Sequence, residues 1–193
     1  MASLVLSGDT SGSITVSAPA VAGSTTQTLV NVTGTLAPVV SGTAQTAPFA
    51  TNTRAEFTSI PPWAKRITVM LQAVGTNGSS VLQVQVGSGS FSTSGYTSQA
   101  WSSSGSTVVS TGIYITSAMS SGYVLTGMMT LCLVGSNTWV ATGMVDLENA
   151  TSIGFQTAGR TPALSGELDR VRVIPVNGTD TFDTGSIINI LYE

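Results

Sequence analysis

The chain contains no histidine among its 193 residues, and that absence removes several chemistries at once. A Ser-His-Asp or Cys-His arrangement cannot be built, and the commonest protein ligand for transition metals is missing. Cysteine occurs once, at Cys132, so no intramolecular disulfide can form, which fits synthesis in a reducing cytosol. The apolar run around it, "GMMTLCLVG", predicts a small buried hydrophobe. Charge is also scarce, at 8% of residues against about 25% in ordinary soluble domains. The six basic residues (Arg54, Lys65, Arg66, Arg160, Arg170, Arg172) and a net charge of −3 leave no cluster able to displace phosphate counterions, so nucleic acid is not an expected partner. No apolar run approaches the roughly 20 residues of a membrane span, and "MASLVLSGDT" has neither a basic start nor the apolar stretch of a signal peptide. The Asn-x-Ser/Thr triplets at Asn31, Asn77, Asn149 and Asn177 then read as products of a Thr-rich composition. With so few charges, the surface must be wetted by hydroxyls and backbone or covered by other subunits.

What is present is β-prone. Residues 1–52 carry one charge, Asp9, no aromatic before Phe49, and prolines at Pro19, Pro38 and Pro48. Short strand-like pieces, "SGSITVS" and "TTQTLVNVTG", bury too little to stand alone, so this segment is expected to be an extended N-terminal arm lying against something else. From Thr53 the pattern is that of a packed all-β domain, 53–193. "RITVMLQAV" (66–74) alternates, with Ile67, Val69, Leu71 and Ala73 on one face. "SVLQVQVG" places Leu82, Val84 and Val86 inward and Gln83 and Gln85 toward solvent. The Asn-Gly pair in "GTNGSS" predicts a hairpin over 66–87. Further strands are expected in "TVVSTGIYI", "GYVLTGMMTLCLVG", "NTWVATGMV", "TSIGFQTA", "ELDRVRVIPV" and "SIINILYE". The "GSN" turn makes a second hairpin with Trp139 as its core aromatic. "PPWAK" forms either one helical turn or a corner. The fold class is all-β, a β-sandwich or jelly-roll-like domain with an extended N-terminal arm.

Serine-rich loops such as "WSSSGS" have no positioned base to activate a nucleophile. Carboxylate chemistry would need two acids at a set separation, and Asp146 with Glu148, Glu167 with Asp169, and Asp180 with Asp183 are the available pairs. Simpler roles suit them better. Glu167, Asp169, Arg170 and Arg172 share one strand candidate where charges pair across a sheet, and "NGTDTFDTG" resembles turn chemistry. Asp180 and Asp183 could also face a calcium ion, but the ligand spacing of a recognised loop is missing. "GSGSFSTSG" is followed by neither a helix nor a lysine, so it is no phosphate cradle. No enzyme activity, metal or cofactor is expected. Tyr96 and Trp101, in the polar stretch "STSGYTSQAWSSSGS", mark a possible ligand-facing loop, the alternative being that they fold back over the end of the sandwich.

Two stretches carry a resemblance. "LVLSGDTSGSITVSAPAVAG", with "TLVNVTGTLAP", is similar to a segment of many tailed-bacteriophage structural and fibre proteins. "FTSIPPWAKRITVML", "SGELDRVRV" and "NGTDTFDTGSIINILYE" look like the β-rich module that often accompanies it. The resemblance implies a virion protein made in the bacterial cytoplasm, commonly a homotrimer, without cofactor or catalysis. Only residues 39–53 lie between "TGTLAP" and "RAEFTSI", with no shaft repeat, so the expectation is a capsid decoration (cement) protein rather than a shaft-bearing fibre. Its partners would be further copies of itself and the major capsid protein. The arm would clamp by strand addition and apolar contact, with Leu4, Leu6, Ile14, Val16 and Leu29 as anchors. The alternative is a short tail fibre binding a host surface glycan near Tyr96 and Trp101.

Overall fold

The computed structural model describes residues 3–7, 13–17, 38–102, 105–149 and 154–193. The chain divides into two compact units, Met1–Leu36 and Ala37–Glu193. In the first, β1 (Ser3–Ser7) and β2 (Ser13–Ser17) pair antiparallel. The second holds the remaining strands: β3 (Val40–Ser41), β4 (Gln45–Thr46), β5 (Ala55–Thr58), β6 (Arg66–Val74), β7 (Leu82–Ser88), β8 (Ser90–Phe91), β9 (Thr97–Ser102), β10 (Gly105–Val109), β11 (Ile113–Tyr114), β12 (Leu125–Gly135), β13 (Thr138–Leu147), β14 (Gly154–Arg160), β15 (Arg170–Pro175) and β16 (Ile187–Tyr192). No helix occurs among the described residues, and therefore none long and apolar enough to cross a membrane.

The strands form a nine-stranded sheet ordered β10-β9-β14-β13-β12-β6-β16-β3, with β4 also on β16, and a five-stranded sheet ordered β11-β7-β15-β5, with β8 on β7. All pairings are antiparallel. Period-two alternation sends one set of side chains from each sheet into a shared core. Ile67, Val69, Met129, Leu131, Phe155 and Ile190 meet Leu82, Val84, Val86, Val171 and Val173 there. The all-β sandwich expected from the strand pattern is the architecture observed.

Several local expectations are corrected. The boundary falls after Leu36 rather than at 52: β3 and β4 pair with β16, and Ala47 and Phe49 are buried in the sandwich core. Residues 66–74 and 82–88 are strands, but they do not form a hairpin, because β6 and β7 belong to different sheets. The "GTNGSS" segment crosses between the sheets. Its Asn77 is bound to the 177–183 loop, with the Asn77 amide donating to Thr181 O (3.0 Å) and Thr181 N–H donating to Asn77 Oδ1 (2.8 Å). A turn signal specifies a bend, not which strands the bend joins. Ala73 has φ +50° at a bulge where Leu125 pairs with Val74 and Gly127 with Leu71, so Val74 takes the inward place. "TVVSTGIYI" is split between β10 and β11, one in each sheet. "PPWAK" is a corner, closed by Ala64 N–H on Pro61 O (3.0 Å).

The "GSN" hairpin is present, with Ser136 (φ +47°) and Asn137 (φ +55°) both left-handed, as a two-residue primed turn requires. Trp139 beside it is 2% exposed in the core. The strand piece "TTQTLVNVTG" lies outside the described residues.

Candidate functional site

The outer face of the nine-stranded sheet gathers exposed apolar side chains in rows. Cross-strand register aligns Met70, Met128, Met144, Gln156 and Trp101 at one level, and Thr68, Thr130, Thr142, Ala158 and Gln99 at the next. Met128 is 56% exposed, Met144 61%, and Val108, on the neighbouring edge strand, 69%. Isolated exposed apolar residues are ordinary, but a contiguous set on one sheet face is the mark of an interaction surface. Trp101 lies across it, its Nε1–H donating to Gln156 Oε1 (3.2 Å). A shallow depression of about 640 Å³ is bordered by Trp101, Val108, Val140 and Arg160. Charges are confined to the two ends of the face. Arg66 and Arg160 lie at one end, Arg66 already paired with Glu193, and Asp146 lies at the other.

Sequence reasoning missed this face. The available signal was that both alternating sets in "GMMTLCLVG" and "WVATGMV" are apolar, which reads as burial on both sides. Cys132 follows the same correction. It is half-buried on the outer face, not in the core, because Leu131 takes the inward position.

The two aromatic candidates separate. Tyr96 is 3% exposed, so its place in a ligand-facing loop is overturned. Its hydroxyl accepts from Val86 N–H (2.9 Å) and lies 3.1 Å from Ser92 O, and burial pushes the phenol pKa up to about 12. Trp101 is 37% exposed, but it stands on strand β9, whose residues alternate between buried and exposed, not in a loop. The polar composition concealed that strand because its inward positions are Ser98 and Ala100.

The acids of the three expected pairs have separate surroundings. Asp169 accepts from Arg170 Nε (2.7 Å) and Nη2 (3.0 Å), and that guanidinium holds its carboxyl below the usual range. Glu167 is exposed and precedes β15 rather than lying on it. Asp180 Oδ2 accepts from Ser80 N–H (3.0 Å), and its Oδ1 from Asn177 Nδ2 (2.6 Å). Asp183 N–H donates to Gly75 O (3.0 Å). Glu148 accepts the Thr126 hydroxyl, whereas Asp146 stands exposed on the outer face. Among the described residues no cluster of three acids or cysteines could hold a metal ion.

A second cluster, on the outer side of the five-stranded sheet, is occupied by the chain itself. Arg172 donates from Nε to Gln85 Oε1 (2.8 Å) and from Nη1 to Glu56 Oε1 (3.2 Å), and lies 4.2 Å over the Phe91 ring. Gln83 and Gln85 are consequently buried, at 3% and 4% exposure, rather than solvated. Phe91 reaches Arg172 because Gly89 (φ +70°) lets β8 fold back on β7.

Of the expected arm anchors, register sets Leu4 opposite Val16 and Leu6 opposite Ile14, and Leu29 lies outside the described residues. Compared with known protein families, curated proteins and solved structures, the chain matches none.

Proposed function

We propose that this chain is a bacteriophage virion structural protein, a capsid decoration (cement) protein whose β-sandwich knob is held to the major capsid protein by its N-terminal segment. The observation that carries the reading is the division into a 1–36 unit, with a paired β1–β2 ribbon, and a 37–193 sandwich with a core of its own. A thin ribbon whose ladder pairs Ser, Thr, Leu, Val and Ile, with no charged residue, can add to a neighbour's sheet edge through backbone hydrogen bonds without desolvating charges. Binding only the assembled shell, it stabilises that shell by mass action. The phage-like stretches at residues 4–38, 57–71 and 177–193 support the same class.

Imaging of particles tests the location. Many copies spread over the head are expected, and copies confined to the tail would overturn the reading in favour of a glycan-binding appendage, for which the 37% exposure of Trp101 is the supporting observation. Deleting residues 1–36 is expected to abolish head occupancy while leaving a folded knob. Unchanged occupancy would remove the clamp.

A further inference from the structure

The geometry points to a two-fold, face-to-face pairing of two copies of this chain through the outer face of the nine-stranded sheet. The dyad runs across the strands at the level of Gly143. This pairing goes beyond the decoration reading and does not depend on it.

The face carries its own complement. A rotation about an axis across the strands reverses the levels, so the bulky level of Met128, Met144 and Trp101 comes down on the small level of Thr130, Thr142 and Gln99 of the second copy, whose register places these residues two positions along the same strands. Large side chains then meet small ones, which is how facing sheets interdigitate. The same rotation acts on charge. Arg160 is level with Val140 and Asp146 with Gly154 on the adjoining strands β13 and β14, so Gly143 lies midway between the two levels. Each Arg160 is therefore set level with Asp146 in the other copy, one strand spacing, about 4.8 Å, to the side, across the gap of about 10 Å between facing sheets that the two side chains reach into. Neither group has an ion pair within the chain among the described residues. A dyad along the strands would instead stack the methionine level on itself and set arginine against arginine.

The size is adequate. Six residues along the strands and five strand spacings from Met70 to Val108 cover about 20 by 24 Å. That removes about 1,000 Å² of surface over two copies, the threshold for a specific contact. Methionine suits such a contact because its unbranched, polarizable chain adapts to the facing surface. The contact alone gives a dimer. Combined with a three-fold contact of the kind the phage resemblance implies, it gives a hexamer of two trimers.

Sedimentation equilibrium on the full chain tests the pairing. Dimers, or hexamers, are expected for the unaltered protein, with Met144→Asp weakening the two-fold association at least tenfold. Arg160→Glu is expected to weaken it as well, and the Arg160→Glu, Asp146→Arg double variant to recover most of the loss. All three positions are exposed, and circular dichroism confirms that each variant retains the sheet. Monomers or trimers alone for the unaltered protein would overturn the pairing, as would association indifferent to Met144→Asp. A double variant no tighter than Arg160→Glu would overturn the proposed dyad. These outcomes are independent of where the protein sits on a particle.

Discussion

On the five-stranded sheet the outward residues Gln83, Gln85 and Arg172 are covered by the chain's own Phe91 and Thr111, whereas on the nine-stranded sheet the outward residues Met128, Met144 and Val108 are left bare. The covered face is polar and closely fitted. Gln85 Nε2 donates to Thr111 O (2.7 Å), Thr111 Oγ1 donates to Gln83 Oε1 (2.9 Å), and a Cβ on Gly112 would stand only 2.5 Å from Gln83 Oε1. Buried amides require such partners, and an intramolecular cover supplies them permanently. The bare face has few hydrogen-bonding obligations in its methionine level. Its methionine side chains can be wetted or covered without leaving a donor or acceptor unpaired, which is the property a reversible contact needs.

The sharpest break of this comparison is across the nine-stranded sheet itself. Phe155→Ala empties a site that is 1% exposed and should cost about 3–5 kcal/mol in denaturant unfolding. Met144→Ala, outward on the neighbouring strand, should change the stability of the unassociated protein by no more than about 0.5 kcal/mol. Equal losses at the two positions would mean that the outer face is not bare. On the other sheet, Arg172→Ala strands the Gln85 amide oxygen in a buried place and removes the cover over Phe91, with an expected loss of about 1–3 kcal/mol. A loss below the range of ordinary surface substitutions would show that the cover is not fixed.

Tyr96 tests the covered side by pH. Its phenol is raised from 10.0 to about 12 by burial. Above pH 10 the unfolded chain therefore releases this proton while the folded chain still holds it. The contribution is complete below pH 10 and is lost as pH rises toward 12. Tyr96→Phe should cost about 1–2 kcal/mol at neutral pH, because Val86 N–H loses a buried acceptor. It should also flatten the fall in unfolding free energy between pH 10 and 12. An unchanged slope would mean that this phenol titrates as an exposed one.

The contrast between the faces also explains what could be read from the chain and what could not. Strand β6 covers the span expected of it, 66–74, with its alternation kept as far as Leu71, and the "GSN" turn and Trp139 are where local chemistry places them. These are properties of neighbouring residues. Whether β7 would be solvated on one side depended on Phe91, Thr111 and Arg172, none of which its own alternation reveals. The boundary at Leu36 was hidden for the same reason, since β3 and β4 find their partner in β16 at the far end of the chain. Of the candidate site, Trp101 was legible as an exposed aromatic, but the methionine level beside it was not. Three methionines on three strands become one surface only once the register is set.

The smallest effect is expected at the rim of the covered face, where Asp169 accepts from Arg170 and from the Gly89 N–H (3.2 Å) at the β7–β8 turn. Its carboxyl is held below its ordinary value of 3.8, with the Arg170 hydrogen bond as the leading cause. The contribution is therefore present above pH 3.8 and lost as pH falls through the lower folded value, because only there does the native state take up the proton. The side chain is 38% exposed, so solvent screens the pair and Asp169→Asn should cost at most about 1 kcal/mol. If Asp169 anchors the turn that carries Phe91, amide exchange at Gly89 should quicken in Asp169→Asn while exchange in β13 stays unchanged. Equal acceleration in both would mean that the pair acts on global stability and that the cover over Gln85 is fixed by Arg172 and Thr111 without it.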